Sequence, residues 1–378
     1  MHKLAAAPDS SVAPLIPAKV LEICTYPPPR AGWSMRVELV KKQLEREGHS
    51  CVVLNTGRNR RVPSPLYETV LNPWDFARKV WRFSRAGYTV HEHVNGESLK
   101  GFARTLLALA LNRLAGNHPY LTFHAGVDQL YFPKDKSPLL TPVYRVMFAI
   151  PQRIICNSAN VKARIVEYGV PAEKVEPIPA FTRQYLEFET APLPDHVEAF
   201  LKNYRQVLFC YVRIRPTFDL ATLIDGFARV AAERPNVGLL LVGVTDDIDA
   251  QLWADVEQRI DRHRLSDRIC IAEEFDHDAF LTALTRCSLY LRTPTSDGVA
   301  SSVLEALALG VPTVAAENGT RPAGVVTYQS ENAPDLAAKL SHVLDNLDGI
   351  AAAMPRPVIE DTLRREIHVL TSSVAVGA

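Results

Sequence analysis

Asp297 and Glu305 stand eight residues apart in the stretch Thr293–Val314, TPTSDGVASSVLEALALGVPTV. An ionised carboxylate only accepts hydrogen bonds, so both suit hydroxyl groups. Asp297-Gly298 predicts a tight loop that feeds a helix from about Ser302 to Leu309, ended by Gly310 and Pro312. A glycine-bearing loop at a helix N-terminus presents free N–H groups and a positive dipole end, an anion site suited to phosphate. A nucleotide sugar would offer a diphosphate for the helix end and hydroxyls for the acids. The same letters also fit plain structure. Ser302-Val303-Leu304-Glu305 reads as a capping box, in which Glu305 only satisfies the Ser302 N–H, and Asp-Gly is an ordinary turn dipeptide.

The elements that must hold these residues alternate between strand and helix. In the N-terminal half, Lys19–Thr25 is a strand stopped by Tyr26-Pro27-Pro28-Pro29. A helix follows from about Ser34 to Glu47, with Val37, Val40 and Leu44 on one face and Gly48 as C-cap. Cys51–Leu54, Tyr120–Phe123 and Arg153–Cys156 are further strands. The acidic, proline-bearing Glu187–His196 (EFETAPLPDH) reads as a linker. The pattern then restarts with the apolar run Val207–Val212 and a helix carrying Leu220, Leu223, Ile224, Phe227, Val230 and Ala231, closed by Pro235. Gly238–Val242, Arg268–Ala272, Leu289–Arg292 and Pro312–Ala315 add strands. Repeated β-loop-α units predict parallel sheets covered by helices. Two α/β domains of similar size predict a cleft, with ligands at the carboxyl ends of the strands.

Composition narrows the function. The 378 residues carry 42 basic and 42 acidic side chains, without the basic excess of a general nucleic-acid binder. With 47% hydrophobic and 22% charged residues, the chain can bury real cores. Its most hydrophobic region holds only the run Leu106–Leu111 before Arg113, against the ~20 apolar residues that a membrane span needs. Pro8, Asp9, Pro14 and Pro17 break the first twenty residues, so no secretory signal is expected. Six scattered cysteines without metal spacing predict reduced, buried thiols in a cytosolic protein.

The stretch around Glu305 resembles the signature of the retaining GT-B glycosyltransferases of family 4, the glycosyl transferases group 1. That signature is an acid, seven residues, Glu-Ala, then a small residue and Gly-x-Pro-x-Val. This chain gives Asp297, seven residues, Glu305-Ala306 and Leu309-Gly310-Val311-Pro312-Thr313-Val314, with Asp297 in place of the usual Glu. Pro27–Arg36 resembles the family's first glycine loop, although Ala31 replaces one glycine. Gly48-His49, Thr122-Phe123-His124, Ile154–Val175 with Ser158, and Arg213–Phe227 resemble further family segments in the family's order.

The resemblance implies an α/β GT-B fold, two Rossmann-like domains facing across a cleft. Residues 1–187 would form the acceptor domain, joined by a returning helix at about 355–378 with Val358, Leu363, Ile367 and Leu370 on its apolar face, and residues 188–354 the donor domain. It implies transfer of a hexose from a UDP- or GDP-linked sugar, with retention, to a glycan, lipid-linked or small-molecule acceptor, without metal or further cofactor. Polysaccharide biosynthesis would be the setting. Arg213 would bind diphosphate, as a planar fork of donors suits. Asp297 and His124 would reach the donor sugar, and Glu305 the ribose. Gly32, Gly298, Val299, Ala300 and Ser301 would bring backbone to sugar or phosphate. The family's lysine falls at Phe218, where Arg215 could supply charge in its place. That loss keeps a non-catalytic nucleotide-sugar binder open, and the fold also admits an epimerase or hydrolase. A nicotinamide dehydrogenase is disfavoured, since neither half opens with G-x-G-x-x-G.

Outside the signature, Trp74–Arg85 (WDFARKVWRFSR) suits either peripheral contact with an anionic membrane or a solvated helix with buried tryptophans. Arg58, Arg60 and Arg61 add basic charge nearby, and His91 and His93 share one face of a strand. Asn318-Gly319-Thr320 is a glycosylation sequon in form only.

Overall fold

The structure is a computed structural model that describes residues 17–27, 32–124, 126, 129–244, 249–296 and 300–372. Its packing divides the chain into two units, one reaching Ala180 and resuming at Asp361, the other spanning Phe181–Glu360.

Unit 1 carries β1 (Lys19–Cys24), β2 (Ser50–Asn55), β3 (Thr89–Val94), β4 (Tyr120–Phe123), β5 (Arg153–Cys156) and β6 (Val175–Pro177). They form a six-stranded sheet in the order β2-β1-β3-β4-β5-β6, and every pairing is parallel. Helices α1 (Gly32–Arg46), α2 (Pro73–Arg85), α3 (Leu99–Leu114), α4 (Thr141–Ala149) and α5 (Ala159–Val166) connect them. Val37, Val40 and Leu44 bury against the sheet as the spacing predicts, and Gly48 adopts φ 82°, the left-handed cap that glycine supplies without strain.

Unit 2 carries β7 (Gln206–Tyr211), β8 (Val237–Val242), β9 (Ile269–Ala272), β10 (Leu289–Arg292), β11 (Thr313–Ala316) and β12 (Val326–Tyr328). Its parallel sheet runs β12-β11-β10-β7-β8-β9. All six residues of β8 are buried, as a strand covered on both faces requires. Helices α6 (Asp195–Asn203), α7 (Leu220–Glu233), α8 (Ala250–Arg262), α9 (His277–Arg286), α10 (Ser301–Leu309), α11 (Ala333–Asp345) and α12 (Leu347–Ala353) belong to this unit. At Gly226 of α7 a Cβ would lie 2.7 Å from Leu336 of α11, so the glycine lets the two helices close up.

Two sequence expectations change here. The proline-bearing segment at 187–196 is no free linker: Phe188 and Ala191 pack on the unit 2 core, and Leu193 is buried in it. The returning helix, α13, spans Thr362–Thr371 and not the stretch from 355. Pro355 and Pro357 lack N–H donors, Val358 is 93% exposed, and Asp361 caps the helix at Arg364. Leu363, Ile367 and Leu370 do bury. Arg36 of α1 ties this helix down, donating from Nε to Glu366 at 2.6 Å and from Nη2 to the Thr362 carbonyl at 2.8 Å. Both charged groups are buried, so removing either would leave the other unpaired at a cost of about 3–5 kcal/mol.

Candidate functional site

In unit 2 the strand order reverses between β7 and β10, the place where open parallel sheets bind ligands. The residues that follow these two strands converge there. Arg213, just after β7, donates from Nη2 to Glu274 at 2.8 Å, and its guanidinium lies 5.3 Å from the Tyr211 ring. Arg292 ends β10 and sits 5.2 Å over the Phe218 ring. The turn Pro216–Phe218 is stitched to the same place, since the Thr293 hydroxyl donates to the Phe218 carbonyl at 2.6 Å and the Thr295 N–H to Thr217 at 3.1 Å. Asp219 takes φ 47° and caps α7 through Thr222 N–H.

Helix α10 begins beside this cluster. Its N-cap is Ala300, whose methyl group cannot cap, and no side-chain cap bond is present there among the described residues. The structure overturns the capping box. Ser302 lies inside the helix, and its hydroxyl receives Tyr290 Oη–H at 2.7 Å. Glu305 is 5% exposed and is paired instead with His277 Nε2 at 3.1 Å. His277 opens α9 and meets the Tyr185 ring edge-on at 6.0 Å. A buried carboxylate held by one imidazole keeps acceptor capacity for hydroxyl groups.

Arg215 is exposed and makes no side-chain hydrogen bond among the described residues. The cation that lies over Phe218 is therefore Arg292, not Arg215. Asp297, Gly298 and Val299 lie outside the described residues. Glu274, His277 and Arg292 went unmarked in the sequence. Glu274 follows β9, His277 opens α9 and Arg292 ends β10, elements whose neighbours are set by tertiary packing, and only the position of Arg292 at a strand's carboxyl end could have flagged it.

In unit 1, Gly32 opens α1, and a Cβ there would meet nothing within 4 Å. His124 follows β4 and is 5% exposed, its ring stacked on Trp33 at 4.1 Å. Behind it runs a buried chain of hydrogen bonds. His124 Nε2 meets His93 Nδ1 at 2.8 Å, and His93 Nε2 meets Glu22 Oε2 at 2.8 Å. Glu22 Oε1 meets His91 Nδ1 at 2.9 Å, and His91 Nε2 meets Thr122 at 2.7 Å. Burial raises the Glu22 carboxyl, but the His91 charge and hydrogen bonds from both rings hold it down at about 2. Burial lowers His91, yet Glu22 lifts it above its ordinary value. Burial and then the His91 charge lower His93, and burial followed by the nearby His93, His91 and Arg36 charges lowers His124 strongly. Two neutral imidazoles thus join a Glu22–His91 pair. Glu22, His91 and His93 lie close enough to hold a metal ion, but each ring nitrogen already has a hydrogen-bonding partner within 2.9 Å.

No helix among the described residues is long and apolar enough to cross a membrane. Trp74 and Trp81 of α2 are 80% and 41% exposed, so the tryptophans of this helix are not buried in a core.

Comparison with known proteins bears on both units. The family described as Glycosyltransferase Family 4 matches residues 32–182, and Glycosyl transferases group 1 matches residues 195–348. A search of curated protein sequences finds no match. Among solved structures, HepE from Anabaena in complex with UDP aligns at TM-score 0.61 and 16% identity, over 94% of this chain and 98% of that one. A glycosyltransferase from Rickettsia africae aligns at 0.66 and 14%, over 95% and 100%. S. aureus MnaA, solved with UDP, aligns at 0.64 and 13%, over 95% and 98%. The two parallel sheets with their helices are the two-domain GT-B fold. With its N-terminal half matching one glycosyltransferase family description and its C-terminal half the other, the chain belongs to the group 1, family 4 glycosyltransferases.

Proposed function

We propose that this chain transfers a hexose from a nucleotide sugar to an acceptor with retention of configuration. The observation that carries the reading is the meeting of Arg213, Arg292, the start of α10, which has no side-chain cap among the described residues, and the buried Glu305 at the switch point of the unit 2 sheet. Two guanidinium groups and a helix dipole oppose the charge that develops on a departing nucleotide diphosphate. Glu305 accepts hydrogen bonds from ribose hydroxyls, with His277 fixing its orientation. Arg292 takes the part that the family's lysine plays elsewhere, and the Phe218 ring supports it from below. Rate then comes from leaving-group stabilisation and positioning, with Asp297 as the unit 2 group that holds the sugar. HepE has been solved with UDP-glucose and MnaA with UDP, which supports a uridine donor here.

Unit 1 holds the acceptor. The outer face of α2 presents Trp74, Arg78, Trp81, Arg82 and Arg85 to solvent, a pattern that supports peripheral contact with an anionic membrane on its cytoplasmic side. Synthesis of a polysaccharide or glycolipid fits such a placement. A thermal-shift screen of the purified chain against UDP, GDP, ADP and their sugar conjugates tests the donor reading. A selective rise with one nucleotide is expected, and no rise with any of them would remove the reading.

A further inference from the structure

Unit 1 contains a cavity of about 850 Å³, bounded wholly by residues between Cys24 and Leu107. It opens at the carboxyl ends of β1, β2 and β3, where Thr25, Thr56 and Asn95 contribute to its wall. The sheet order β2-β1-β3 reverses direction at this place, so the cavity occupies the switch point of unit 1 as the donor residues occupy that of unit 2.

The wall has one sign of charge. Arg60, Arg61, Lys100 and Arg104 line it, and no carboxylate side chain does among the described residues. Arg104 is neutralised from behind by Glu92 at 3.0 Å. Among the described residues the Arg60 side chain bonds only the Gly57 carbonyl, and Arg61 and Lys100 have no hydrogen-bond or ion-pair partner. Two helix N-termini end on the same wall, through the caps Asn72 of α2 and Ser98 of α3. The first turn of α3 carries no acid to offset its dipole. Uncompensated cations and a helix start facing one concave, partly apolar space favour an anion with a fork of oxygens. The donor's own diphosphate already has its partners in unit 2 under the proposed function, which leaves this charge for the other substrate.

We infer that the unit 1 cavity binds an acceptor that carries a phosphate group. The inference rests on the glycosyltransferase reading for the word acceptor, and on the cavity alone for the phosphate. A soluble phosphosugar and a membrane lipid ending in a sugar phosphate share this chemistry. Leu71 and Leu107 on the wall are 50% and 39% exposed, as is Trp74 at 80% beside it, so an acyl or prenyl chain leaving the mouth would find apolar surface.

The test uses the full-length chain with the donor site filled by saturating UDP. Glucose 6-phosphate and glucose are titrated separately, with the emission of Trp33, a wall residue, as the signal and Trp33→Phe as its blank. Glucose 6-phosphate should bind at least tenfold more tightly than glucose, and Arg61→Gln with Lys100→Gln should abolish most of that preference while leaving UDP affinity unchanged, each lost charge-assisted bond weakening binding roughly tenfold or more. Phosphatidylcholine vesicles with and without a polyprenyl phosphate form the second arm. Binding to the doped vesicles alone, lost in the same double variant, also supports a phosphate site and identifies the lipid source. Equal affinity for glucose and glucose 6-phosphate together with no preference for doped vesicles would overturn the inference, as would a preference that survives the double variant. Failure of UDP to bind would instead strike the proposed function, and the phosphate arms would still be read without it.

Discussion

The Arg213–Glu274 pair gives a prediction of two opposite signs. In this structure the guanidinium bonds a carboxylate at 2.8 Å, with side chains 28% and 25% exposed. If Arg213 is a diphosphate ligand, Glu274 competes with the phosphate oxygens for it. Glu274→Gln keeps the shape but removes the competing charge. Partly exposed ion pairs are worth about 0.2–1 kcal/mol, so UDP affinity should rise by ~1.4–5-fold. Arg213→Gln removes charge-assisted hydrogen bonds of about 1.5–3 kcal/mol, so affinity should fall by ~10–150-fold. Both variants lose the same salt bridge, so their effects on melting temperature should be similar and small. Calorimetric titration of UDP into the three proteins measures the difference. If both substitutions lower stability and neither moves UDP affinity, Arg213 is a structural residue and the donor assignment in unit 2 is wrong. A loss of UDP affinity in Glu274→Gln equal to that in Arg213→Gln would refute the competition argument.

Three further outcomes are expected. Glu305→Ala should weaken nucleotide binding by ~10-fold or more through lost bonds to hydroxyls, checked by the same titration; a fall in melting temperature alone would mean that its contact with His277 is its whole role. Arg292→Gln should slow donor turnover by roughly 10²–10³-fold, and Phe218→Lys in that background should restore part of the rate; full activity of Arg292→Gln would show that the missing lysine has no replacement there. The third outcome concerns pH. His93 and His124 are held below their ordinary value, first by burial and then by neighbouring charge, so below about pH 6.5 the unfolded chain binds protons that the folded chain refuses, and stability falls as pH drops. His91, raised by Glu22, has the opposite sign: its stabilising effect is present below about pH 6.5 and is lost as pH rises through its folded value. The Glu22 contribution is lost only as pH falls from the ordinary carboxylate range toward about 2. Two histidines against one should make unit 1 less stable on acidification from about pH 7 to about pH 5.5, by up to ~1.4 kcal/mol per pH unit for each uncompensated site. His124→Phe, which can still stack on Trp33, should flatten that decline in denaturant titrations; an unchanged slope would mean that His124 takes up its proton in the folded chain.

Buried apolar runs were legible to within a residue or two. Tyr120–Phe123, Arg153–Cys156 and Leu289–Arg292 have the bounds expected from their letters. Val326–Tyr328 was not read as a strand; it is three residues long, too short for a pattern to show. The H-x-H spacing of His91 and His93 showed a strand, but not that Thr89–Val94 is a buried central one, because its histidines are buried by pairing with Glu22 and Thr122 across the sheet and its Glu92 by pairing with Arg104 and Thr105 of α3. The capping-box letters misled for a related reason. S-x-x-E fits a helix start wherever the helix begins, and the chain starts this one at Ser301, with Tyr290 claiming the Ser302 hydroxyl. The partners of Arg213, Glu305 and Phe218 are Glu274, His277 and Arg292, all distant in sequence, and no spacing rule reaches them.

Hydrogen–deuterium exchange of the full chain, with and without the nucleotide that gives the largest thermal shift, tests the central claim most directly. Nucleotide bound at the unit 2 switch point should protect the turn after β7, through residues 213–218, and the first turns of α9 and α10. Protection confined to unit 1, or nowhere in the chain despite saturating nucleotide, would contradict the placement of the donor at the unit 2 switch point.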